Sequence, residues 1–504
     1  MNFNYVFNTV SLILKYIAVV MLVPCICGLI YQEYTHCQPF IYASSLAYLL
    51  GILLKGNQKS GEEVNNINKS ETLAITLLVW ILFAILASIP FLFFGLNPVD
   101  ALFEAVSGVT TTGATILTNF SEYPKAMFFW RSFSQWLGGM GILVLFIAIL
   151  PKFAIAGRQM FYAESPGASS TESKLTPRIR QTAGALWGIY FVLTIIEIFT
   201  LKCMGMPTFD AICNSLSSLS GGGFSPAQNS IMDYGQAKFF WVIAIFMFLS
   251  GMNFALQYKL YIKRNFQVLI KDDEFKLYFL VVLFFTLSIA ITLTTHNVYE
   301  FKKAIEAAFF QVISIVTTTG FASVDYNEWN LRAKLLLFLL MFCGASIGSA
   351  SGGLKLLRIV FIFKYLKRQI SKIFHPNGVY PIKINKVIVN EDIVKQMISF
   401  VIFYYTIFAI SAVLLVFIEQ NVVIGLTSAI ATLGNVGPAF GQLGPMGSYA
   451  DLNILSKFIC MFNMLIGRLE LIPFLALLHP DFWSFRKIKN LHKNKKIWYN
   501  FGGR

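Results

Sequence analysis

Residues 110–115 read TTTGAT and residues 317–322 read TTTGFA. Two near-copies of one small polar stretch stand far apart in a strongly apolar chain. Threonine runs ending in glycine are poor helix material, so each copy interrupts the helix before it. With Gly113 as anchor, the register of ALFEAVSGVTTTGAT (101–115) returns in DAICNSLSSLSGGGFS (210–225) at Gly223, in AAFFQVISIVTTTGFAS (307–323) at Gly320 and in LTSAIATLGNVGPAF (426–440) at Gly437. The anchors are 110, 97 and 117 residues apart. Each copy has the same order: an apolar span, a short amphipathic stretch, a polar glycine-containing stretch, a connection and a second span.

Composition names the solvent. Hydrophobic residues are 56% and charged residues 13% of the 504, against about 25% charge in soluble domains. Apolar runs near 8–31, 40–54, 72–95, 128–151, 185–201, 239–257, 277–295, 334–362, 397–419 and 453–478 mostly approach the ~20 residues a helix needs to cross a bilayer. The alternating ~10-residue strands of membrane barrels are missing from the pattern. An all-α polytopic membrane protein follows.

The net charge of +15 does not point to nucleic acid, because of where it sits. Segments 55–71, 152–180, 258–276, 355–395 and 484–504 hold most of the Lys and Arg, and connections near 32–39, 97–127 and 418–452 hold almost none, Lys125 excepted. That alternation is the positive-inside pattern. It predicts that both termini are cytoplasmic, with basic segments that orient the helices, touch anionic membrane lipid and can receive a cytosolic partner. The seven cysteines are scattered without metal spacing and imply no disulfide framework. LVPC at 22–25 weakly resembles a lipoprotein cleavage site, but residues 8–31 read better as a retained helix, since a basic n-region is missing.

Span, short helix, polar loop and span describe a re-entrant loop. Non-helical backbone at membrane depth is tolerated only where protein or water satisfies it, and four such loops around one axis would satisfy each other. The expected filter is Thr110, Thr111, Thr112 and Gly113; Ser220, Gly221, Gly222 and Gly223; Thr317, Thr318, Thr319 and Gly320; and Gly434, Asn435, Val436 and Gly437. Glycine frees the backbone to turn carbonyls, hydroxyls add oxygens, and rings of carbonyls replace an ion's hydration shell in K⁺ filters. These stretches carry no charge, which favours a weakly hydrated monovalent cation such as K⁺. The division is 1–70 (two N-terminal helices and a loop), 71–180, 181–276, 277–395 and 396–504, one repeat in each of the last four.

Two further features stand out. GASIGSASGG at 344–353 places helix-weakening residues at membrane depth and reads as an unwound gate, with Gly344, Gly348, Ser349, Gly352 and Gly353 as its residues. Lys355 and Arg358, just beyond, are expected at the cytosolic interface. Arg468 lies in the last span, two residues from Glu470. Intramembrane charge marks function by default; Arg468 is expected to face the pathway as a barrier to cations, or to hold helices together with Glu470. Arg131 is expected to anchor at the outer interface.

The stretches SGVTTTGAT (107–115), FWRSFSQWLGGMGILVLFIAILP (129–151), SLSGGGFSP (218–226), SIVTTTGFASVDY (314–326), GASIGSASGGLKLLR (344–358), GNVGPAFG (434–441) and IGRLELIP (466–473) resemble the TrkH/TrkG/KtrB superfamily of K⁺ transporters, and most of all its TrkH branch. The resemblance runs from about residue 70 to 480, and the two extra N-terminal spans also resemble that branch. It implies one pore per chain, built from four non-identical repeats with one glycine each, and K⁺ bound in the filter without any other cofactor. It also implies a homodimer, a gating loop in a broken helix, and regulation by a cytosolic TrkA-like nucleotide-binding ring in a bacterial inner membrane. The alternative is an ion-coupled (H⁺ or Na⁺) K⁺ symporter with alternating access. The sequence shows no phosphate-binding GxxxxGK[ST], zinc spacing or nucleophile–base motif, so an enzyme is not expected.

Overall fold

The computed structural model describes residues 3–55, 69–139, 141, 176–262, 264–385 and 387–469. These are helical apart from loops, short 3₁₀ turns and one antiparallel pairing, β1 (Lys383–Ile384) with β2 (Val387–Ile388). Helices α1 (Phe3–Val20), α2 (Val23–Ile30) and α3 (Gln38–Leu53) come first, and α1 packs on both α3 and α4 (Lys69–Phe93). Among the described residues five helical stretches are long and apolar enough to cross a membrane: Phe3–Ile30, Ser70–Phe93, Ala183–Cys203, Asp273–Thr295 and Glu391–Glu419. Apolar sequence folds this way because a helix satisfies its backbone polar groups within the segment, where lipid offers no partner.

From α4 onward one order of elements occurs four times. A long helix leads into a short one, then a loop with one 3₁₀ turn, then another helix. The sets are α4, α5 (Pro98–Val109), Phe120–Glu122 and α6 (Lys125–Gly139); α7 (Thr176–Cys203), α8 (Thr208–Ser220), Ser230–Tyr234 and α9 (Ala237–Gly251). After α10 (Phe254–Tyr261) and α11 (Gln267–Lys271) come α12 (Asp273–Thr295), α13 (Phe301–Val316), Tyr326–Glu328 and α14 (Leu331–Met341). Then, past α15 (Leu356–Phe374), follow α16 (Glu391–Glu419), α17 (Val422–Leu433), Gly441–Leu443 and α18 (Ile454–Leu469). The short helices start at polar caps where they can: Asn97 accepts from the Asp100 N–H, and Asn421 from those of Val423 and Ile424.

Two expected spans change shape or extent, and a third breaks where its glycine-rich stretch is expected to unwind it. The run 239–257 is not one straight helix: α9 and α10 meet at 105°, since Met252 is extended and Asn253 caps α10 by accepting from Ala255 and Leu256. The run 334–362 is broken between Met341 and Leu356. The short run 185–201 lies within the 28-residue α7. The later parts of the expected 128–151 and 453–478 spans lie outside the described residues, as do Glu470, all of 484–504 and much of 55–71 and 152–180.

The loops that follow the four short helices are laced in a closed order. Arg131 donates to the Ser225 carbonyl and Gln228 to that of Thr118; the Met232 N–H donates to Ala322 and the Ala322 N–H to Ser230 Oγ. Tyr326 Oη donates to the Ala439 carbonyl, and the Tyr449 N–H to that of Thr115. Lys457 on α18 closes the circuit at 2.6 Å from Asp100 on α5.

Candidate functional site

The four short helices end alike. In each, the N–H of the residue before the anchor donates back to the helix: Thr112 to Ser107, Gly222 to Ser217, Thr319 to Ser314 and Val436 to Ala431, at 2.8–2.9 Å. One residue earlier, Thr111 donates to Gly108, Gly221 to Ser218, Thr318 to Ile315 and Asn435 to Thr432. This is the Schellman ending, with its residue in the left-handed region. Here those residues are Thr111 (φ 55°), Gly221 (70°), Thr318 (55°) and Asn435 (54°). A β-branched residue there is strained, and Thr111 and Thr318 are held in it by burial on all sides.

The anchors follow two residues later, again at positive φ: Gly113 82°, Gly223 74°, Gly320 80° and Gly437 95°. Each touches the next loop. A Cβ on Gly113 would collide with the Gly222 carbonyl oxygen, one on Gly223 with that of Thr319, one on Gly320 with that of Val436, and one on Gly437 with that of Thr112. The contacts run first to second, second to third, third to fourth and fourth to first, so the loops form a closed ring. Glycine is required twice over, for its dihedrals and for the close approach.

The ring is held from outside. Gln135 on α6 donates to the Gly222 carbonyl at 2.6 Å and accepts from the Phe224 N–H at 3.0 Å. Thr110 and Thr317 each bond the Oγ of the threonine two residues on, at 2.8 Å. Asn435 donates to Thr112 Oγ1 and to the Met464 carbonyl, both at 2.9 Å. Among the described residues, Thr111 Oγ1 and Asn435 Oδ1 are buried with no hydrogen-bond partner. A cavity of about 50 Å³ is lined by Gly113, Gly223, Gly320, Pro438, Arg131 and Tyr449 among others.

Arg131 is therefore not an interface anchor. It is 1% exposed, pairs with Glu104 at 2.7 Å, reaches Thr115 Oγ1 at 3.1 Å and lies 4.0 Å over the Phe224 ring. Burial of a guanidinium is sustainable because a carboxylate and several oxygens replace its water. Glu104 stands nine residues before its anchor, and the equivalent positions Asn214, Gln311 and Ser428 are polar and fully buried. Polar residues in register inside apolar helices were the signal that could have exposed this pair. Gln135, a polar residue in an apolar run, carried a weaker one.

The break after α14 lies against the ring. The Gly352 N–H donates to Thr318 Oγ1 at 2.6 Å, and a Cβ on Gly353 would meet the Gly434 carbonyl oxygen at 3.0 Å. The bend between α9 and α10 receives the loop: Ser346 and Ala350 donate to the carbonyls of Gly251 and Ser250, and the Phe254 N–H donates to Gly348. Glu274 accepts from the Ile347 N–H at 2.7 Å. Ser349 bonds Ser351 at 2.7 Å, and Gly344 pairs with Leu354 and Lys355 across the base of the loop. Lys355 and Arg358 are not at an aqueous interface: Lys355 is buried and donates to Ser351 Oγ at 2.9 Å, and Arg358 is buried over the Phe400 ring at 3.7 Å. The unwound loop has oxygens enough to hold one of these cations, and an aromatic face takes the other.

Arg468 bridges the loop to α6. Its guanidinium donates to the Ala350 carbonyl at 2.8 Å and to those of Gly138 and Gly139 at 2.6 Å. Gly138 and Gly139 are pressed against the ends of α5 and α8, where a Cβ would strike the Val109 carbonyl oxygen or the Ser220 backbone. The expected partner Glu470 lies outside the described residues.

Residues 46–484 match the TrkH family model, described as a cation transport protein. The chain belongs to the TrkH family. The Trk system potassium uptake protein TrkH of Salmonella typhimurium is 35% identical over 487 residues, 96% of this chain and 100% of that one. The Trk system potassium uptake protein TrkG of Escherichia coli is 32% identical, over 92% of this chain and 95% of its own. The crystal structure of the potassium transporter TrkH from Vibrio parahaemolyticus superposes with a TM-score of 0.85 at 30% identity, over 96% of this chain and 100% of that one. Members of this family are membrane transport proteins, not enzymes, and the apolar helices here fit a multi-pass member.

Proposed function

We propose that the chain takes up K⁺ across a bacterial inner membrane through the ring, which acts as a selectivity filter for ions crossing one central pore in each chain. The closed order of glycine-to-carbonyl contacts carries the reading. It brings four uncharged, oxygen-rich loops together with no charged side chain among their filter residues, the chemistry that replaces a monovalent cation's hydration shell. K⁺ is cargo held by the filter residues, whose backbone carbonyls the glycine anchors bring together. The four sets of helices are the repeats 71–180, 181–276, 277–395 and 396–504, preceded by 1–70.

The loop 344–353 is the gate beneath the filter, with Gly344, Gly348, Ser349, Gly352 and Gly353 giving it a non-helical path and Arg468 fastening it. Both termini are cytoplasmic by the distribution of Lys and Arg. The relatives are named as parts of a Trk system, in keeping with a homodimer and a cytosolic nucleotide-binding ring that docks on the basic segments and acts on the gate.

The test is K⁺ against Na⁺ flux into liposomes holding the purified protein, with and without Gly113→Ser. The added side chain meets the Gly222 carbonyl, so the ratio of K⁺ to Na⁺ flux falls. An unaltered ratio in a folded variant removes Gly113 from the filter.

A further inference from the structure

Outside the transport machinery, three cysteines gather at one corner of the molecule, where α2 turns through residues 31–37 into α3. Cys25 and Cys37 face each other across this turn. The Cys25 thiol lies 3.7 Å from the Cys37 carbonyl oxygen, and the Cys37 thiol 3.7 Å from that of Cys25. Gly28 leaves room for the Cys37 sulfur, since a Cβ there would stand 2.7 Å from it. Cys25 is partly exposed and Cys37 is buried, so an outside reagent reaches one sulfur first and the second is poised to resolve.

The same turn holds α6 in place. Glu33 accepts from the backbone N–H groups of Lys125 at 3.0 Å and Ala126 at 3.1 Å, the first residues of α6. A carboxylate there meets both the unpaired N–H groups and the positive end of the helix dipole. The Lys125 ammonium lies 4.0 Å over the Tyr31 ring. Helix α6 carries Gln135 and Arg131 to the ring and ends on the glycines that Arg468 grips.

We propose that Cys25 and Cys37 form a disulfide on the extracytoplasmic side, one that clamps the α2–α3 corner against the start of α6. The side is the one given by the proposed orientation, and disulfides persist in that compartment. The oxidant is a protein disulfide of the dithiol-oxidase class. The Cys25 thiolate attacks one of its sulfurs to give a mixed disulfide, and the Cys37 thiolate then displaces it. One S–S bond forms as the oxidant's S–S bond breaks; the two thiol protons and two electrons leave with the oxidant as its dithiol. Cys27, third in the cluster, stays a thiol because the Cys37 sulfur lies toward the Cys25 and Glu33 carbonyls instead.

The test is peptide mass mapping of the full chain, purified from cells lysed in excess maleimide and digested without reductant. A linked peptide containing Cys25 and Cys37, lost on reduction, supports the disulfide, and faster amide exchange at Lys125 and Ala126 after reduction or in Cys25→Ser supports the clamp. Maleimide on both residues in the isolated protein overturns the proposal, as does a link from Cys37 to Cys27. Adding oxidised glutathione to reduced protein in detergent separates the causes. If the pair links there but not in cells, the orientation is at fault; if it links in neither, the geometry is.

Discussion

Replacing Arg468 by alanine removes the side chain that, among the described residues, joins the loop 344–353, the proposed gate, to α6. Of its three hydrogen bonds among the described residues, the one to the Ala350 carbonyl belongs to the loop; those to Gly138 and Gly139 belong to a helix end already wedged between neighbours. The gate equilibrium therefore loses one bond from a charged donor, about 1.5–3 kcal/mol. At tenfold per ~1.4 kcal/mol this shifts closed to open by about ten- to a hundredfold. K⁺ flux into liposomes, measured without any partner protein, rises by that factor until the open state predominates. Arg468→Lys separates the two readings of this residue. Lysine keeps the positive charge but loses the fork that reaches two elements at once, so a tether predicts intermediate flux, while a pure electrostatic barrier predicts flux as in the parent. Unchanged or lower flux in a folded alanine variant refutes both.

Other substitutions test the surroundings. Glu104→Gln leaves the buried Arg131 charge without its counter-ion and costs about 3 kcal/mol or more, read as a lower melting temperature in detergent; an unshifted melt means the pair contributes nothing. Thr318→Val keeps the shape of the ring but strips the acceptor from the Gly352 N–H. A buried donor without a partner costs about 1–3 kcal/mol, so the gate loop detaches more readily and flux rises several-fold with its K⁺ preference kept; loss of that preference would show that the hydroxyl serves the ion instead. Lys457→Met breaks the bond to Asp100 that joins the last helix to the first short one, and thermal stability falls by about 1.5–3 kcal/mol while selectivity persists.

Local chemistry, and with it much of the fold, is legible in the chain. Apolar length and basic connections predict helices and their order, because a bilayer leaves a segment no other way to satisfy its backbone. TTTG, SGGG and GNVG mark where helices stop, since their residues disfavour the helix whatever surrounds them. What the chain conceals is contact between segments far apart in sequence. Arg131 reads as an interface anchor until Glu104, 27 residues away, is folded beside it. Lys355 and Arg358 read as cytosolic until the unwound loop and Phe400 enclose them. The run 239–257 reads as one span because hydropathy does not register the 105° bend that seats the gate loop. Residue type by itself determined that this protein lives in a membrane and where four polar stretches end its short helices. Only tertiary structure decided that the four breaks meet glycine to carbonyl in a ring, because that contact depends on which backbones come close in space and on nothing local to any one of them.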